Sequence, residues 1–263
     1  IELLGEWLCI PPQEISYLCA GVNHQAFYLK LEHNGENLYP ALTEKLKDPE
    51  YYNKELVRNE MFKHLGYYVT ESSGHNSEYN PWFRKRPDLI EKYCTHGTGW
   101  NPGVYAYSLN LRLGRASEDR DVMREWIANK PVDTKRGKEY AANIFNARFG
   151  DNEPYKFNGN VINDGAISNL PHDACVEIPV IADREGIHKT IVGPLPDHIA
   201  ILVNTTARVE NLVVRAAMNK SREDVYHAVM MDPLCSAVCS LQEIRDMCDL
   251  IFEKNTEYLG DYK

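Results

Sequence analysis

Several features that would identify a protein class at once are missing from this 263-residue sequence. No run of about 18 apolar residues occurs, and no signal-peptide pattern is recognised at the start, so neither a membrane span nor secretion is expected. The seven cysteines form no CxxC pair and no dense framework, which argues against a disulfide scaffold. Reduced thiols packed as small apolar groups fit better, and we expect a cytoplasmic protein.

An excess of positive charge is missing as well. The formal net charge is −9, and the 38 acidic and 29 basic residues are mixed along the chain. Nucleic acids and anionic membranes recruit basic patches, so we expect neither as a partner. The consecutive Arg84, Lys85 and Arg86 could serve a small anionic substrate, although a solvated charged turn explains these three residues more simply.

The sequence also lacks an initiating methionine, an N-terminal strand and a glycine-rich phosphate loop. Its first residues, IELLGEWLCIPP, show an amphipathic helical pattern already under way. We therefore expect residues 1–263 to be a fragment of a longer protein.

The periodicity of apolar residues predicts an α+β fold. Alternation predicts strands at residues 15–21, 26–31, 153–162 and 174–181. Helical spacing predicts helices at residues 1–10, 38–46, 55–65, 88–93, 117–129, 136–149, 197–219, 221–231 and 241–258, and residues 95–114 are predicted to be a loop. The buried face of the helix at 136–149 is predicted to consist of Tyr140, Ile144, Phe145 and Phe149. Strands followed by a helical C-terminal half favour one α+β unit over a βαβ array.

The densest polar segment is residues 67–80, YYVTESSGHNSEYN, which follows the predicted helix at 55–65. It combines hydroxyl groups, carboxylates, carboxamides and an imidazole within a connection between two elements. So many hydrogen-bonding side chains in a connection indicate the lining of a polar site. A second short segment, AGVNH at residues 20–24, is expected to belong to the same site.

Four segments follow one another along the chain: AGVNHQAFYLKLE (20–32), GYYVTESSGHNSEYNPWF (66–83), CVEIPVIADREGIHKTIVGPLPDHIA (175–200) and VYHAVMMDPLCSAV (225–238). In this order and at this spacing they resemble the family 4 glycoside hydrolases, most closely the bacterial α-galactosidases of that family. The resemblance covers nearly the whole chain. It implies the C-terminal domain of a lactate- or malate-dehydrogenase-like enzyme, with an NAD-binding domain upstream and assembly as a homodimer or homotetramer.

The resemblance also implies an unusual reaction, because NAD-dependent members of this family depart from the two-carboxylate scheme of most glycosidases. In the family, NAD⁺ oxidises the sugar at C3 while a divalent metal, usually Mn²⁺, holds the C2 and C3 oxygens. A base removes the C2 proton, the glycosidic oxygen is eliminated, water adds back and the hydride returns. The implied substrate is an α-galactoside such as melibiose.

The resemblance assigns a metal ligand by position. His24, in GVNH, matches the metal-ligand histidine of the family, and neutral imidazole suits Mn²⁺ or a similar ion. The second ligand, a cysteine, is expected a few residues before position 1, so Cys19 is interpreted as a packing residue. Asn23 is expected to contact the sugar or the metal shell.

The general base stays open at this point. Where other members carry a tyrosine or an aspartate, this sequence has Ser72, whose hydroxyl is a poor base without a relay. Nearby groups that could act as the base are Tyr68, His75, Glu78 and Tyr79, and the sequence does not distinguish among them. The candidate catalytic residues are Ser72, His75 and Tyr79. The predicted substrate contacts are Asn23, Tyr68, Glu71 and Glu78, with local capping as the alternative role for the two glutamates.

Two other functions remain compatible with the sequence. The first is an α-galacturonidase of the same family, which Arg84, Lys85 and Arg86 would favour if they faced the pocket. The second is a non-catalytic substrate or oligomerisation module, if the natural chain is as short as this one.

Overall fold

The computed structural model describes residues 1–95, 139–151 and 153–263, together with positions 124, 125, 128, 129, 135 and 137. Most of the predicted loop at 95–114 and of the predicted helix at 117–129 lies outside these residues. Within them the fold is α+β, as the periodicity predicted. Its strands are β1 (Ile15–Val22), β2 (Gln25–His33), β3 (Glu36–Asn37), β4 (Tyr155–Ile162), β5 (Cys175–Ala182) and β6 (Ile187–Lys189).

The described helices fall into two groups around these strands. Seven lie before β4: α1 (Glu2–Leu8), α2 (Tyr39–Lys45), α3 (Pro49–Lys54), α4 (Leu56–Leu65), α5 (Ser73–Tyr79), α6 (Pro87–Tyr93) and α7 (Ala141–Phe149). Five follow β6: α8 (Asp197–Asn219), α9 (Arg222–Met231), α10 (Pro233–Val238), α11 (Leu241–Lys254) and α12 (Thr256–Leu259). None of the helices in the described ranges is both long enough and apolar enough to cross a membrane.

The strands form one antiparallel sheet in the order β3-β2-β1-β5-β4, with β6 on β5. Val22 pairs with Gln25, which leaves Asn23 and His24 as a two-residue turn between β1 and β2. Just before this turn, a Cβ atom on Gly21 would lie 2.3 Å from the Gln25 carbonyl oxygen, so only glycine fits there. The GVNH segment is thereby fixed at one end of the sheet.

The sheet separates two apolar cores, because successive side chains of a strand point to opposite faces. On β2, Phe27 enters the core that contains α4 and α8, whereas Ala26 and Tyr28 enter the core that contains α1 and α2. Cys19 is fully buried in the second core, which confirms its interpretation as a packing residue. A third cluster joins α9 to α11 around Tyr226.

Helix α7 corrects one prediction. Tyr140, Phe145 and Phe149, expected on its buried face, are 42%, 65% and 76% exposed, whereas Ala147 is buried. The helix begins only at Ala141, and it packs through a small residue, so its aromatic side chains stay outside. Apolar spacing identified the helix but not the face that packs.

The polar segment after Gly66 corrects a second prediction, because it contains helix α5 rather than an irregular connection. Gly66 ends α4 in the left-handed conformation, which glycine adopts without strain. Ser72 then acts as the N-cap of α5, its hydroxyl accepting a hydrogen bond from the His75 N–H at 3.4 Å. Serine, asparagine and glycine are poor helix formers, which is why propensity concealed this helix.

Candidate active site

Backbone pairing brings the polar segment to the β1–β2 turn. The Thr70 N–H donates to the Ala26 carbonyl, and the Tyr28 N–H donates to the Tyr68 carbonyl, both at 2.9 Å. Residues 68–70 therefore run beside the start of β2, and Glu71 emerges next to the turn. His24 occupies that turn with φ 64°, a left-handed conformation in which histidine is enriched among non-glycine residues.

Glu71 bridges two imidazole rings. Its Oε2 lies 2.5 Å from His24 Nδ1, its Oε1 lies 3.4 Å from His75 Nδ1, and Oε1 also accepts the Ser72 N–H at 2.6 Å. Burial raises the pKa of Glu71, but hydrogen bonds from Ser72 and His24 outweigh it and leave the pKa lowered. An ionised carboxylate only accepts hydrogen bonds, so His24 Nδ1 carries a proton in this contact, and Nε2 is the ring nitrogen left to face a ligand.

Tyr79 closes the cluster from the next turn of α5. Its ring stacks on His24 at a centroid distance of 5.2 Å, and the His75 ring meets His24 edge-on at 4.9 Å. Burial, followed by the charges of Glu78 and Glu71, raises the pKa of Tyr79. Its hydroxyl therefore stays protonated near neutral pH, which disfavours Tyr79 as a general base.

A cleft of about 570 Å³ opens beside the turn, and Asn23, Thr70 and Glu177 contribute to its lining. Glu177 reaches it because β5 joins β1 at the Gly21–Glu177 pair. Burial, then the charge of Glu71, raises the pKa of Glu177. Glu210 of α8 is a further half-buried carboxylate near His24; burial raises its pKa, and the His24 charge opposes the shift.

Sequence reasoning missed both of these carboxylates. Glu177 did carry a signal, since it is a lone charge in the apolar strand segment CVEIPVI. Glu210 carried none, because its neighbour His24 lies on an element far away in the sequence.

The structure brings most of the predicted site residues together. Donor atoms of His24, Glu71 and His75 all lie within 4.8 Å of one another. Asn23 is exposed at the turn and lines the cleft, whereas Ser72 is engaged as the cap of α5. Glu78 lies next to Tyr79 on α5 but outside this three-residue cluster, so its contact with the sugar stays a prediction.

Tyr68 is corrected. Its side chain has no exposed surface, its hydroxyl donates to Asn59 Oδ1 at 2.9 Å, and the Arg58 guanidinium lies 4.8 Å from the ring centroid. A side chain enclosed in this way cannot contact a sugar. We therefore assign Tyr68 to the core and withdraw it from the substrate-binding residues.

The donor atoms at the turn suit a divalent metal. His24 offers Nε2 while Glu71 holds its Nδ1–H, the arrangement in which metal-bound histidines are usually oriented. His75 Nδ1 is buried and makes no hydrogen bond with any residue that the structure describes, so a further polar partner at this point is chemically expected. Imidazole nitrogen and carboxylate oxygen together match the ligand preferences of Mn²⁺ and similar ions.

The basic triplet does not gather at this cluster. Arg84 Nε donates to Ser77 Oγ at 2.9 Å, on the side of α5 away from His75 and Tyr79. Arg86 forms two hydrogen bonds of 3.0 Å with Asp88, and Lys85 is exposed. The feature that would have favoured an α-galacturonidase is therefore missing from the described residues around the turn.

Comparison with known proteins places this geometry in a family. Residues 19–235 match the family described as "Family 4 glycosyl hydrolase C-terminal domain". The chain is 37% identical over 248 residues to an α-galactosidase of Bacillus subtilis, covering 93% of this chain and 55% of that protein. It is 32% identical over 270 residues to an α-galactosidase of Rhizobium meliloti, covering 99% and 54%. The chain thus spans about half the length of the curated relatives that it matches.

A solved structure shares the fold at lower sequence identity. It is a 6-phospho-α-glucosidase from gut microorganisms in complex with NAD and Mn²⁺, with a TM-score of 0.71 and 20% identity over 97% of this chain and 58% of that chain. The matched segments include the turn that carries His24 and the segment that carries Glu71 and His75. The chain belongs to the family 4 glycosyl hydrolases and contains their C-terminal domain.

Proposed function

We propose that this chain is the C-terminal catalytic and substrate domain of an α-galactosidase, with an NAD-binding domain preceding residue 1. The observation that carries the proposal is the bridge of Glu71 between His24 and His75 beside an open cleft. Family membership and the 37% identity to an α-galactosidase support the activity. The NAD and Mn²⁺ in the similar 6-phospho-α-glucosidase structure support the two cofactors.

His24 would hold the metal through Nε2, because Glu71 fixes its Nδ1–H. When bound, the metal polarises sugar oxygens and so acidifies a neighbouring C–H group. NAD⁺, when bound, accepts and returns a hydride. Because the cofactors supply this activation, a base of moderate strength is sufficient to remove the C2 proton.

Among the candidate bases we propose His75, whose side chain is 44% exposed. The Glu71 carboxylate lies 3.4 Å from its Nδ1 and would stabilise the imidazolium that forms when Nε2 accepts a proton. The Ser72 hydroxyl is occupied in capping α5, and the pKa of Tyr79 is raised. Asn23 and Glu78 keep their proposed role as sugar contacts, while Glu71 is proposed to orient both imidazoles.

The charges around the turn favour a neutral galactoside over a galacturonide. Glu71, Glu177 and Glu210 all lie near His24, so a uronate carboxylate would meet three like charges. A described cation, Lys156, lines the same cleft, but it lies on β4 four residues from Asn160, the partner of Glu177. That separates the Lys156 backbone from the Glu177 pair by about 13 Å along the strand.

The test is release of p-nitrophenol from its α-galactoside by the full-length protein with NAD⁺, Mn²⁺ and a thiol reductant. We expect activity that is lost on omitting NAD⁺ and in His24→Ala. Hydrolysis that is indifferent to NAD⁺ would refute the redox mechanism. Hydrolysis of the galacturonide alone would favour the α-galacturonidase, and no activity on either substrate would favour a non-catalytic module.

We also propose that the protein is cytoplasmic and assembles as a homodimer or homotetramer. No disulfide joins any two of the seven cysteines, which fits a reducing compartment. Helix α8 exposes Ile201, Val214 and Met218, which are 71%, 62% and 79% accessible, and Val214 and Met218, four residues apart, could pack against a second copy. Light scattering of the full-length protein would give the assembly state, and a purely monomeric species would contradict this part.

A further inference from the structure

A chain of buried side-chain hydrogen bonds runs beneath the site. The Thr206 hydroxyl of α8 donates to Gln25 Oε1 at 2.6 Å, and Gln25 Nε2 donates to Asn80 Oδ1 at 3.0 Å. Asn80 Nδ2 then donates to the backbone carbonyl of Asn76 at 2.8 Å. Gln25 and Asn80 have no exposed surface, and Thr206 is 8% exposed. A buried polar side chain destabilises the fold unless its polar atoms form hydrogen bonds, so the presence of three such side chains here calls for an explanation.

The direction of every bond in this chain is determined. The Asn76 carbonyl can only accept, so Asn80 must present its amide nitrogen there and its oxygen to Gln25. Gln25 must then present its nitrogen to Asn80 and its oxygen to Thr206. The Thr206 hydroxyl therefore has to donate to Gln25 instead of to the carbonyl one turn earlier in its own helix.

The neighbouring threonine shows the ordinary alternative. Thr205 donates to the Ile201 carbonyl at 3.0 Å, within α8. Thr206 instead donates its hydroxyl hydrogen to Gln25 and so connects α8 to the β1–β2 turn. The two threonines are adjacent on one helix and differ in the partner of a single hydroxyl.

Both ends of the His24–Glu71 pair are anchored to this chain. Gln25 follows His24 directly and is the first residue of β2. On the other side, Asn76 Nδ2 donates to the carbonyl groups of Glu71 and Ser72 at 2.8 Å and 3.0 Å. The chain thus holds the backbone on either side of the 2.5 Å contact between His24 and Glu71.

We propose that Gln25 is a positioning residue that, together with Thr206, sets the distance between His24 and the Glu71–His75 pair. The proposal rests on the proposed metal-binding role of His24. Without the Thr206 bond, Gln25 keeps a buried acceptor that lacks its donor, and the turn relaxes until the amide finds another partner. His24 then loses its fixed orientation toward Glu71, and metal affinity falls because outer-shell orientation governs it.

The experiment compares Thr206→Val with Thr205→Val in the full-length protein. Each substitution removes one hydroxyl and keeps the branched shape, and only the first removes the bond to Gln25. Mn²⁺ alone is the probe, titrated by the paramagnetic resonance signal of the free ion. We expect the dissociation constant to rise about tenfold in Thr206→Val and to stay within about twofold of wild type in Thr205→Val. Equal affinities in the two variants would overturn the proposal.

A second readout needs no metal. With ¹⁵N-labelled histidine, the His24 Nδ1–H proton should resonate far downfield because of its short bond to the Glu71 carboxylate. We expect Thr206→Val to shift or broaden this signal and Thr205→Val to leave it unchanged. If wild type binds no Mn²⁺ but this shift occurs, the proposed function fails and the positioning role stands. If wild type binds Mn²⁺ and the signal does not respond to Thr206→Val, the positioning role fails alone.

Discussion

Helix α5 turns Ser73 and Asn76 toward the interior and His75 and Tyr79 toward His24, and the two faces differ in how their polar atoms are partnered. Inside, Ser73 donates to the Glu55 carboxylate at 2.6 Å, and Asn76 holds two backbone carbonyls. One inner atom, Asn76 Oδ1, has no hydrogen-bond partner in the described part of the chain. Outside, none of the described residues hydrogen-bonds His75 Nδ1, although this atom is buried. The inner face holds the segment in place, and the outer face presents groups for chemistry.

The different roles of the two faces of α5 explain why residues 67–80 are so polar. The high density of hydrogen-bonding side chains in residues 67–80 suggested that all of these side chains line a single site. About half of those side chains instead satisfy the backbone of a short helix that has little intrinsic propensity to form. Substitutions on the inner face should therefore lower the stability of the protein, whereas substitutions on the outer face should lower its activity.

The largest expected effect is on the outer face. His75→Ala removes the proposed base, and we expect the turnover number on an α-galactoside to fall by about 10²- to 10⁴-fold. Its side chain is 44% exposed, so the denaturation midpoint should change little. Tyr79→Phe is the matched control and should retain most of the activity. A greater loss in Tyr79→Phe than in His75→Ala would reassign the base.

The next effect is on the inner face. Asn80→Leu leaves Gln25 Nε2 buried without an acceptor, and we expect a loss of about 2 kcal/mol in the free energy of unfolding. Urea denaturation of the full-length protein, followed in the transition of this domain, measures it. An unchanged denaturation midpoint in Asn80→Leu would show that the hydrogen bonds of the inner face make no net contribution to the free energy of unfolding.

A smaller effect should separate two of the carboxylates near His24 by its sign. The pKa of Glu71 is lowered in the fold, so the stability it contributes is present above its unfolded pKa and is lost as pH falls through its folded pKa. The pKa of Glu177 is raised, so its ionised form costs stability; that cost shrinks as pH falls below its folded pKa and is gone below its unfolded pKa. Urea midpoints measured from neutral to acid pH should show Glu177→Gln as stabilising at neutral pH and Glu71→Gln as destabilising there. Effects of the same sign at neutral pH would contradict this electrostatic account.

The smallest effect is expected at the basic triplet. Arg86→Ala removes an exposed ion pair with Asp88, and such pairs contribute little. We expect neither the unfolding midpoint nor the KM for an α-galactoside to change measurably. A clear rise in KM would mean that this arginine reaches the substrate, and it would reopen the α-galacturonidase alternative.

Local sequence patterns predicted the fold better than they predicted the roles of the individual residues in the site. Alternation over residues 15–21 and 26–31 identified β1 and β2 because one face of each strand must be buried. The same reasoning could not tell that Tyr68 points into the core, since its neighbour Tyr67 has the same chemistry. Nor could it bring Glu177 and Glu210 to His24, because their proximity depends on strand register and helix packing between distant segments.

The central claim is that His75, oriented by Glu71, removes the C2 proton of an α-galactoside. The most direct measurement is deuterium at C2 of the galactose released in D₂O by the full-length protein with NAD⁺ and Mn²⁺. The account predicts deuterium at C2 for wild type and Tyr79→Phe, with release of galactose strongly reduced in His75→Ala. Galactose that keeps its C2 proton, or wild-type exchange rates in His75→Ala, would contradict it.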